Sequence, residues 1–260
     1  MKALHIAATG MKAQELNVEV ISNNVANMRT TGFKKQRADF QDLLYQNLRR
    51  MGTETSDAGT IVPTGIQVGS GVKLASTTRI MSQGSLEQTG KQLDLAIRGE
   101  GFFQIDMPDG STVYTRDGSF ERDANGQLVT VDGYTVNPGI TIPETTLDIT
   151  ISNTGDVQGV DQAGNTVQLG QVQLVRFVNT AGLEAIGDNL FRETDASGAP
   201  ETGDPGDDGF GSVAQYFLEM ANVDAVTEIA DLISAQRAYE MNSQIIQAAD
   251  EMYSTTTNLR

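Results

Sequence analysis

The stretch NVDAVTEIADLISAQRAYEMNSQIIQAADEMYSTTTNLR, residues 222–260, decides the fold. It closes a run, 212–260, without one Gly or Pro in a chain that holds 27 Gly and 6 Pro. Within it Leu232, Tyr239, Ile246 and Tyr253 recur every seven residues, and Ala238, Ile245 and Met252 repeat one position earlier. Residues at that spacing share a face of a helix. Ile229, Ala235 and Ala249 widen the stripe beyond what one neighbour covers, so the pattern predicts a long helix packed on more than one side. Asn222 or Asp224 is available to cap its start.

A matching row opens the chain. Leu4, Met11, Val18 and Val25 also recur every seven residues, with Ala7, Ile21 and Met28 between them. This predicts a helix over 2–27 that Thr30-Thr31-Gly32 ends, and a heptad pairing between the two chain ends. Phe33, Phe40, Leu43 and Leu44, with basic residues between, continue as a second amphipathic stretch to about Arg50.

The composition changes abruptly in between. Residues 52–211 hold 25 of the Gly and every Pro. Residues 52–71 read as an extended arm rich in Gly, Thr and Ser. Beyond Val72 apolar residues alternate at Leu93, Leu95, Ile97, at Leu147, Ile149, Ile151 and at Val167, Leu169. Turn pairs fall at Asp109-Gly110, Asp117-Gly118, Asn125-Gly126 and Asp132-Gly133. Short strands with such turns make an antiparallel β domain. Residues 195–211, acidic and rich in Gly and Pro, read as an exposed loop. The expected class is α+β: a discontinuous helical coiled-coil domain (1–50 and 212–260), a linking arm (51–75) and a central β domain (76–211).

Charge excludes some partners. Residues 1–50 carry a balance of +4 and the remainder −20, within a net charge of −16. Such an acidic body repels nucleic acid and anionic membrane. The last segment, 222–260, is itself at −4, complementary to the basic start. There is no Cys, hence no disulfide, thiolate site or thiol nucleophile. Lys12, Glu15 and Glu19 interrupt the start, so a cleaved secretory signal is not expected, nor is membrane insertion.

No constellation of residues points to an enzyme, a cofactor or a metal. His5 is the only histidine and has no ligand partner at suitable spacing. The segment from Glu121 to Asp132 partly mimics a calcium loop, but its first and last positions are wrong and a β-turn at Asn125-Gly126 explains it. Gly69-Ser70-Gly71-Val72-Lys73 fails the spacing of a phosphate loop. Gly99-Glu100-Gly101-Phe102 lacks the third glycine of a dinucleotide fingerprint.

Three motifs, in order, carry a resemblance. They are Ala8-Thr9-Gly10-Met11 with Ile21-Ser22-Asn23-Asn24-Val25-Ala26-Asn27 and Thr31-Gly32-Phe33-Lys34; Leu93-Asp94-Leu95-Ala96-Ile97-Arg98-Gly99-Glu100-Gly101-Phe102-Phe103; and Asn222-Val223-Asp224 with Ala235-Gln236-Arg237-Ala238-Tyr239-Glu240 and Asn242. Together they resemble the bacterial flagellar basal-body rod and hook family. Length and the stretch 59–75 are most similar to its distal rod members; Met28-Arg29 departs from the usual pair there. The resemblance implies a self-assembling helical tube that transmits torque across the periplasm. Leu4, Met11, Val18, Ile21, Val25, Leu232, Tyr239, Ile245, Ile246, Met252 and Tyr253 would then build its inner helical layer. Asn23, Asn24, Asn27, Thr31, Gly32, Phe33, Gln236, Arg237 and Tyr239 match the family motifs.

The implied partners are copies of itself, proximal rod proteins, the hook protein, the periplasmic and outer-membrane rings, and the type III export apparatus. Phe40 and Leu44 fit an export-gate spacing, although any i, i+4 pair shares a helical face. Two alternatives stay open: a proximal rod or hook-type axial protein, and a β-rich extracellular binding module with coiled-coil termini.

Overall fold

The computed structural model describes residues 2–49, 51, 64–162 and 164–258, with side chains as far as Thr255. The chain divides into two compact units, residues 1–25, 36–78 and 225–260 forming the first and residues 26–35 and 79–224 the second.

The first unit holds α1 (Lys2–Ala26), β1 (Gln36–Asp42), β2 (Gln46–Arg49), β3 (Ile66–Val68) and β4 (Val72–Arg79), and after the second unit the helix α2 (Ala225–Asn258). Both helices fall where the heptad rows place them, and α2 begins directly after Asp224. They run antiparallel. Asn24 of α1 donates to Glu228 of α2 at 3.1 Å, while a Cβ on Gly10 would stand 3.0 Å from Asn242 Oδ1. Gly10 lowers helix propensity by about 1 kcal/mol relative to Ala, and this close approach is what the missing side chain permits. Ala7, Ala13, Ala235 and Ala249 are buried, small residues that let helix surfaces come near.

The amphipathic stretch after α1 is not helical. Residues 36–42 and 46–49, grouped with the terminal helices by the sequence pattern, are the strands β1 and β2, pairing with β4 and β3. Of the expected arm, residues 52–63 lie outside the described residues, and the remainder supplies β3 and the start of β4.

The second unit is the antiparallel β domain. Its strands are β5 (Leu86–Gln88), β6 (Leu95–Arg98), β7 (Phe102–Asp106), β8 (Thr112–Thr115), β9 (Phe120–Arg122), β10 (Leu128–Thr130), β11 (Thr135–Val136), β12 (Thr146–Ile151), β13 (Asp156–Asp161), β14 (Thr166–Gln171), β15 (Leu174–Arg176), β16 (Glu184–Gly187), β17 (Leu190–Arg192), β18 (Glu201–Gly203), β19 (Ser212–Gln215) and β20 (Phe217–Glu219). The largest sheet runs β16-β17-β8-β7-β11-β10-β9, with β15 beside β7 and β18 beside β15. β12, β13 and β14 make a separate meander, and β19 and β20 pair with β6 and β5.

Successive residues on a strand point to opposite faces, and β7 uses both. Phe103 joins a core with Leu95, Ile105, Phe120 and Leu174. Its neighbour Phe102 joins another with Tyr114, Phe177 and Phe191. In that second cluster Tyr114 and Phe177 meet edge-on at 4.8 Å between centroids, a geometry that aromatic quadrupoles favour.

Particular positions depart from the alternating pattern. Leu147 is 68 % exposed because the β12–β13 register shifts between Thr146 and Asp148, taking it off the face that Ile149 and Ile151 bury. Asp117-Gly118 is no hairpin turn: the Gly118 carbonyl accepts the Leu95 amide, placing the dipeptide against β6. The run 195–211 contains β18 and the fully buried Ser197, so only part of it is exposed loop. Ser212–Gln215 and Phe217–Glu219 are strands and not an extension of the helical segment.

The calcium-like segment is a turn, as expected from Asn125-Gly126. The Asp123 carboxylate accepts the amides of Gln127 and Asn125 at 2.8 Å each. The Gln127 amide, then those of Asn125 and Gly126, hold this carboxyl below its usual range. A depressed folded pKa gives stability that is present above the unfolded value of about 3.9 and is lost as pH falls through the folded one. The stability difference between the unsubstituted chain and Asp123→Asn should therefore shrink as urea unfolding is repeated from about pH 6 down to about pH 3. A difference that stays constant across that range would show that the turn carboxylate contributes nothing.

Candidate assembly surface

Helix α2 carries more apolar surface than α1 covers. Leu232 and Ile246 are half-buried and Ala235 and Ala249 fully buried. Val226 is 78 % exposed, Ile229 and Ile245 49 %, Ile233 46 % and Met252 63 %. Tyr239 and Tyr253 are exposed at 44 % and 45 %. On α1 the heptad residues Leu4, Met11, Val18 and Val25 are half-buried and Ile21 is buried. The sequence-predicted rows thus separate into an inner set within this unit and an outward set, Tyr239, Ile245, Met252 and Tyr253, exposed on the surface of α2.

Asn24 explains why a run of asparagines ends the first helix. Its side chain donates to the Gln36 carbonyl at 2.8 Å and accepts the Gln36 amide at 2.9 Å, mimicking a strand neighbour for β1. Its amide also reaches Glu228. One buried side chain joins α1, β1 and α2, and Ala there would leave several buried groups unmatched. Asn23 is exposed, whereas Asn27 is half-buried and its carbonyl accepts the Thr30 amide at 3.0 Å. Gln236 and Arg237 are exposed.

The other family-motif residues sit in the second unit, on residues 26–35. Thr31 donates to Asp117 at 2.9 Å, and Asn189 donates to the Thr31 carbonyl at 2.9 Å. Gly32 stands at φ 68°, where an added Cβ would also meet the Asp117 nitrogen at 2.7 Å. Both conformation and space demand glycine there. Phe33 is half-buried.

Lys34 closes the Thr31-Gly32-Phe33-Lys34 motif, but nothing in the sequence pattern marks it as buried. It is fully buried and donates to Glu219 and to the Ser82 carbonyl. Glu219, also fully buried, accepts from Arg116 at 3.1 Å and from the Gly84 amide at 2.9 Å. Arg116 reaches the Gly99 carbonyl at 2.8 Å and lies 5.3 Å from the Phe102 ring centre. Two cations thus share one anion out of water. Burial pulls the Lys34 and Arg116 pKa values down, against the pull of Glu219. Asn222 completes the anchor, accepting the Lys35 amide at 2.7 Å and donating to the Ile80 and Ser82 carbonyls.

Phe40 lies half-buried in β1, and Leu44, beyond its end, is 88 % exposed. They share no helix, so a common helical face does not explain their spacing. His5 and Lys2 line a cleft with Ile6, Gln46, Val68, Gly69 and Ser70. Among the described residues no helix is long and apolar enough to cross a membrane.

Comparison with known families matches this chain in three places. Residues 4–34 match the family described as flagella basal body rod protein, residues 96–159 the flagellar hook protein FlgE/F/G D1 domain, and residues 214–259 the flagellar basal body rod FlgEFG protein C-terminal. The flagellar basal-body rod protein FlgG of Caulobacter vibrioides is 57 % identical over 261 residues, covering 100 % of both chains. That of Agrobacterium fabrum is 54 % identical over 98 % of this chain and 97 % of its own. That of Bacillus subtilis is 41 % identical over 100 % of this chain and 99 % of its own.

Proposed function

The chain belongs to the FlgG family of flagellar basal-body rod proteins and is a structural subunit of the distal rod, and we infer that it works as a mechanical element, without catalysis, whose terminal helices form a coiled-coil inner layer among neighbouring copies. The net acidic charge outside residues 1–50 suits a surface that turns beside the surrounding rings without adhering to them. Proximal rod proteins and the hook are the axial neighbours.

The observation that carries this reading is the outward row of α2, left exposed after α1 has packed. Apolar side chains repeated along a helix in this number are covered by other helices when copies meet. Many modest contacts repeated along a helical lattice give a stiff shaft. Electron microscopy of concentrated protein tests it: straight tubes are expected, and a finite oligomer would favour a binding module.

Helices whose apolar faces need several neighbours gain their order on assembly. Limited proteolysis of dilute monomer is therefore expected to leave a resistant core of roughly residues 75–215. Equal resistance at both ends in the monomer would contradict coupled ordering.

Export proceeds through the flagellar type III apparatus, and Phe40 with Leu44 is the segment read at its gate. The exposure of Leu44 beyond β1 supports that assignment.

A further inference from the structure

Sulfur sits on the outward face of α2. Met241, Ile245, Ala248 and Met252 fall at i, i+4, i+7 and i+11, spacings that return to one side of a helix. Met241 is 58 % exposed and Met252 63 %, with Ile245 between them at 49 %. The buried row of the same helix, Glu228, Ala235 and Ala249, lies roughly a quarter turn away. Packing within the subunit therefore uses a different side of α2 and leaves both thioethers facing solvent.

Methionine suits such a face for a physical reason. Its side chain is unbranched and its sulfur polarisable, so it fits apolar partners of differing shape. The same sulfur is open to oxidation. The chain has no Cys to react first. Met11, Met81, Met107 and Met220 are half-buried, and the other exposed methionines, Met28 and Met51, lie outside α2.

We propose that Met241 and Met252 form an oxidation-sensitive modification site: a hydroperoxide converts both thioethers to sulfoxides, which keeps the subunit out of the tube until a methionine sulfoxide reductase restores them. The sulfur lone pair attacks the terminal peroxide oxygen. An S–O bond forms as the O–O bond breaks, and the peroxide leaves as water or an alcohol. Sulfur gives up two electrons and the peroxide takes them. The reductase returns two electrons from a thiol pair and releases the oxygen as water, so the change is reversible.

A sulfoxide is polar and accepts hydrogen bonds strongly. On the exposed face of α2 it stays hydrated, and the folded subunit tolerates it. In an apolar contact between copies it must give up that water without a partner in exchange. Once the face is covered, peroxide no longer reaches the sulfurs, so the modification acts on subunits that have yet to assemble. The proposal rests on the reading of α2 as an assembly face and adds how that face is regulated.

The native chain supplies the test. It is treated with limiting hydrogen peroxide and concentrated, and tubes are separated from soluble protein by centrifugation. Peptide mass mapping of both fractions is expected to find sulfoxide at Met241 and Met252 enriched at least about tenfold in the soluble fraction, as one lost contact of ordinary strength would give. Methionine sulfoxide reductases specific for each epimer, with dithiothreitol, should return the soluble fraction to tubes. A Met241→Leu/Met252→Leu chain, measured against its own untreated sample, should lose most of the response to peroxide. Sulfoxide at both positions in equal proportion in tubes and soluble protein would overturn the proposal and leave the rod reading intact. A leucine variant as peroxide-sensitive as the native chain would do the same, and where that variant forms no tubes the mapping of the native chain decides. Failure of the untreated native chain to form tubes at any concentration would overturn the rod reading itself, and this regulation with it.

Discussion

A Glu219→Gln subunit is expected to lose about 3–5 kcal/mol from its β unit at neutral pH, seen as a lowered urea midpoint. The loss is large because two cations depend on one carboxylate. Lys34 and Glu219 are fully buried and Arg116 is 5 % exposed, so water cannot replace the missing charge. The amide keeps the shape and some hydrogen bonding, but leaves both cations in low dielectric without a counterion. Linkage gives a second signature. Burial lowers the Lys34 pKa in the folded state. Between that value and its unfolded value of about 10.4 the unfolded chain binds more protons, so this group's contribution to stability rises with pH. Removing Glu219 lowers the folded value further and widens the window. The deficit of the variant should thus narrow as pH is raised towards about 10, although Arg116 keeps its charge and part of the deficit. Replacing the whole trio, as Lys34→Met, Arg116→Met and Glu219→Leu together, should recover most of the loss, because apolar side chains incur no desolvation of charge. If the triple variant were as unstable as Glu219→Gln, the buried charges would not be the cause.

This trio also marks where the sequence stops being legible. Lys34 stands in Lys34-Lys35-Gln36-Arg37, which reads as a solvated basic run, and its counterion lies 185 residues away. Burial of a charge is decided by partners from distant segments, and a local pattern holds no trace of them. Asn222 reads as a helix cap and as part of a motif; its side-chain amide holds Lys35, Ile80 and Ser82 together. The strands β1 and β2 were hidden for a different reason. Phe33, Phe40, Leu43 and Leu44 fall at spacings that suit a helix as well as a strand, and the pairing with β4 and β3 that decides between them comes from further along the chain. Asp117-Gly118 has the same local chemistry as the turn at Asn125-Gly126, yet contact with Leu95 assigns it another role. By contrast α1 and α2 were readable because period and length agree over many turns. The gap between Asp195 and Gly211 was read by composition alone, which cannot register the short ladder between β18 and β15.

Introducing Ile233→Glu and Ile245→Glu together should abolish tube formation while leaving the β unit folded. Both side chains are about half exposed, at 46 % and 49 %, so the folded subunit loses little when they become polar. The effect appears when copies meet. Each isoleucine forfeits roughly 1–2 kcal/mol of further burial, and each carboxylate adds the cost of entering an apolar contact, about 1–3 kcal/mol even where it is partly hydrated. A combined loss of about 4 kcal/mol or more per subunit raises the concentration needed for assembly by roughly a thousandfold, since each 1.4 kcal/mol is a factor of ten. α2 already carries Glu228, Asp231 and Glu240, so two further negative charges also repel equivalent helices of neighbouring copies. Salt screens that repulsion over about 8–10 Å but restores no apolar contact. High salt should therefore rescue assembly only slightly in this variant. Normal tubes from the double glutamate variant at ordinary concentration would show that the outward face of α2 is solvent-exposed in the rod as well, and the inner layer would have to be built from other residues.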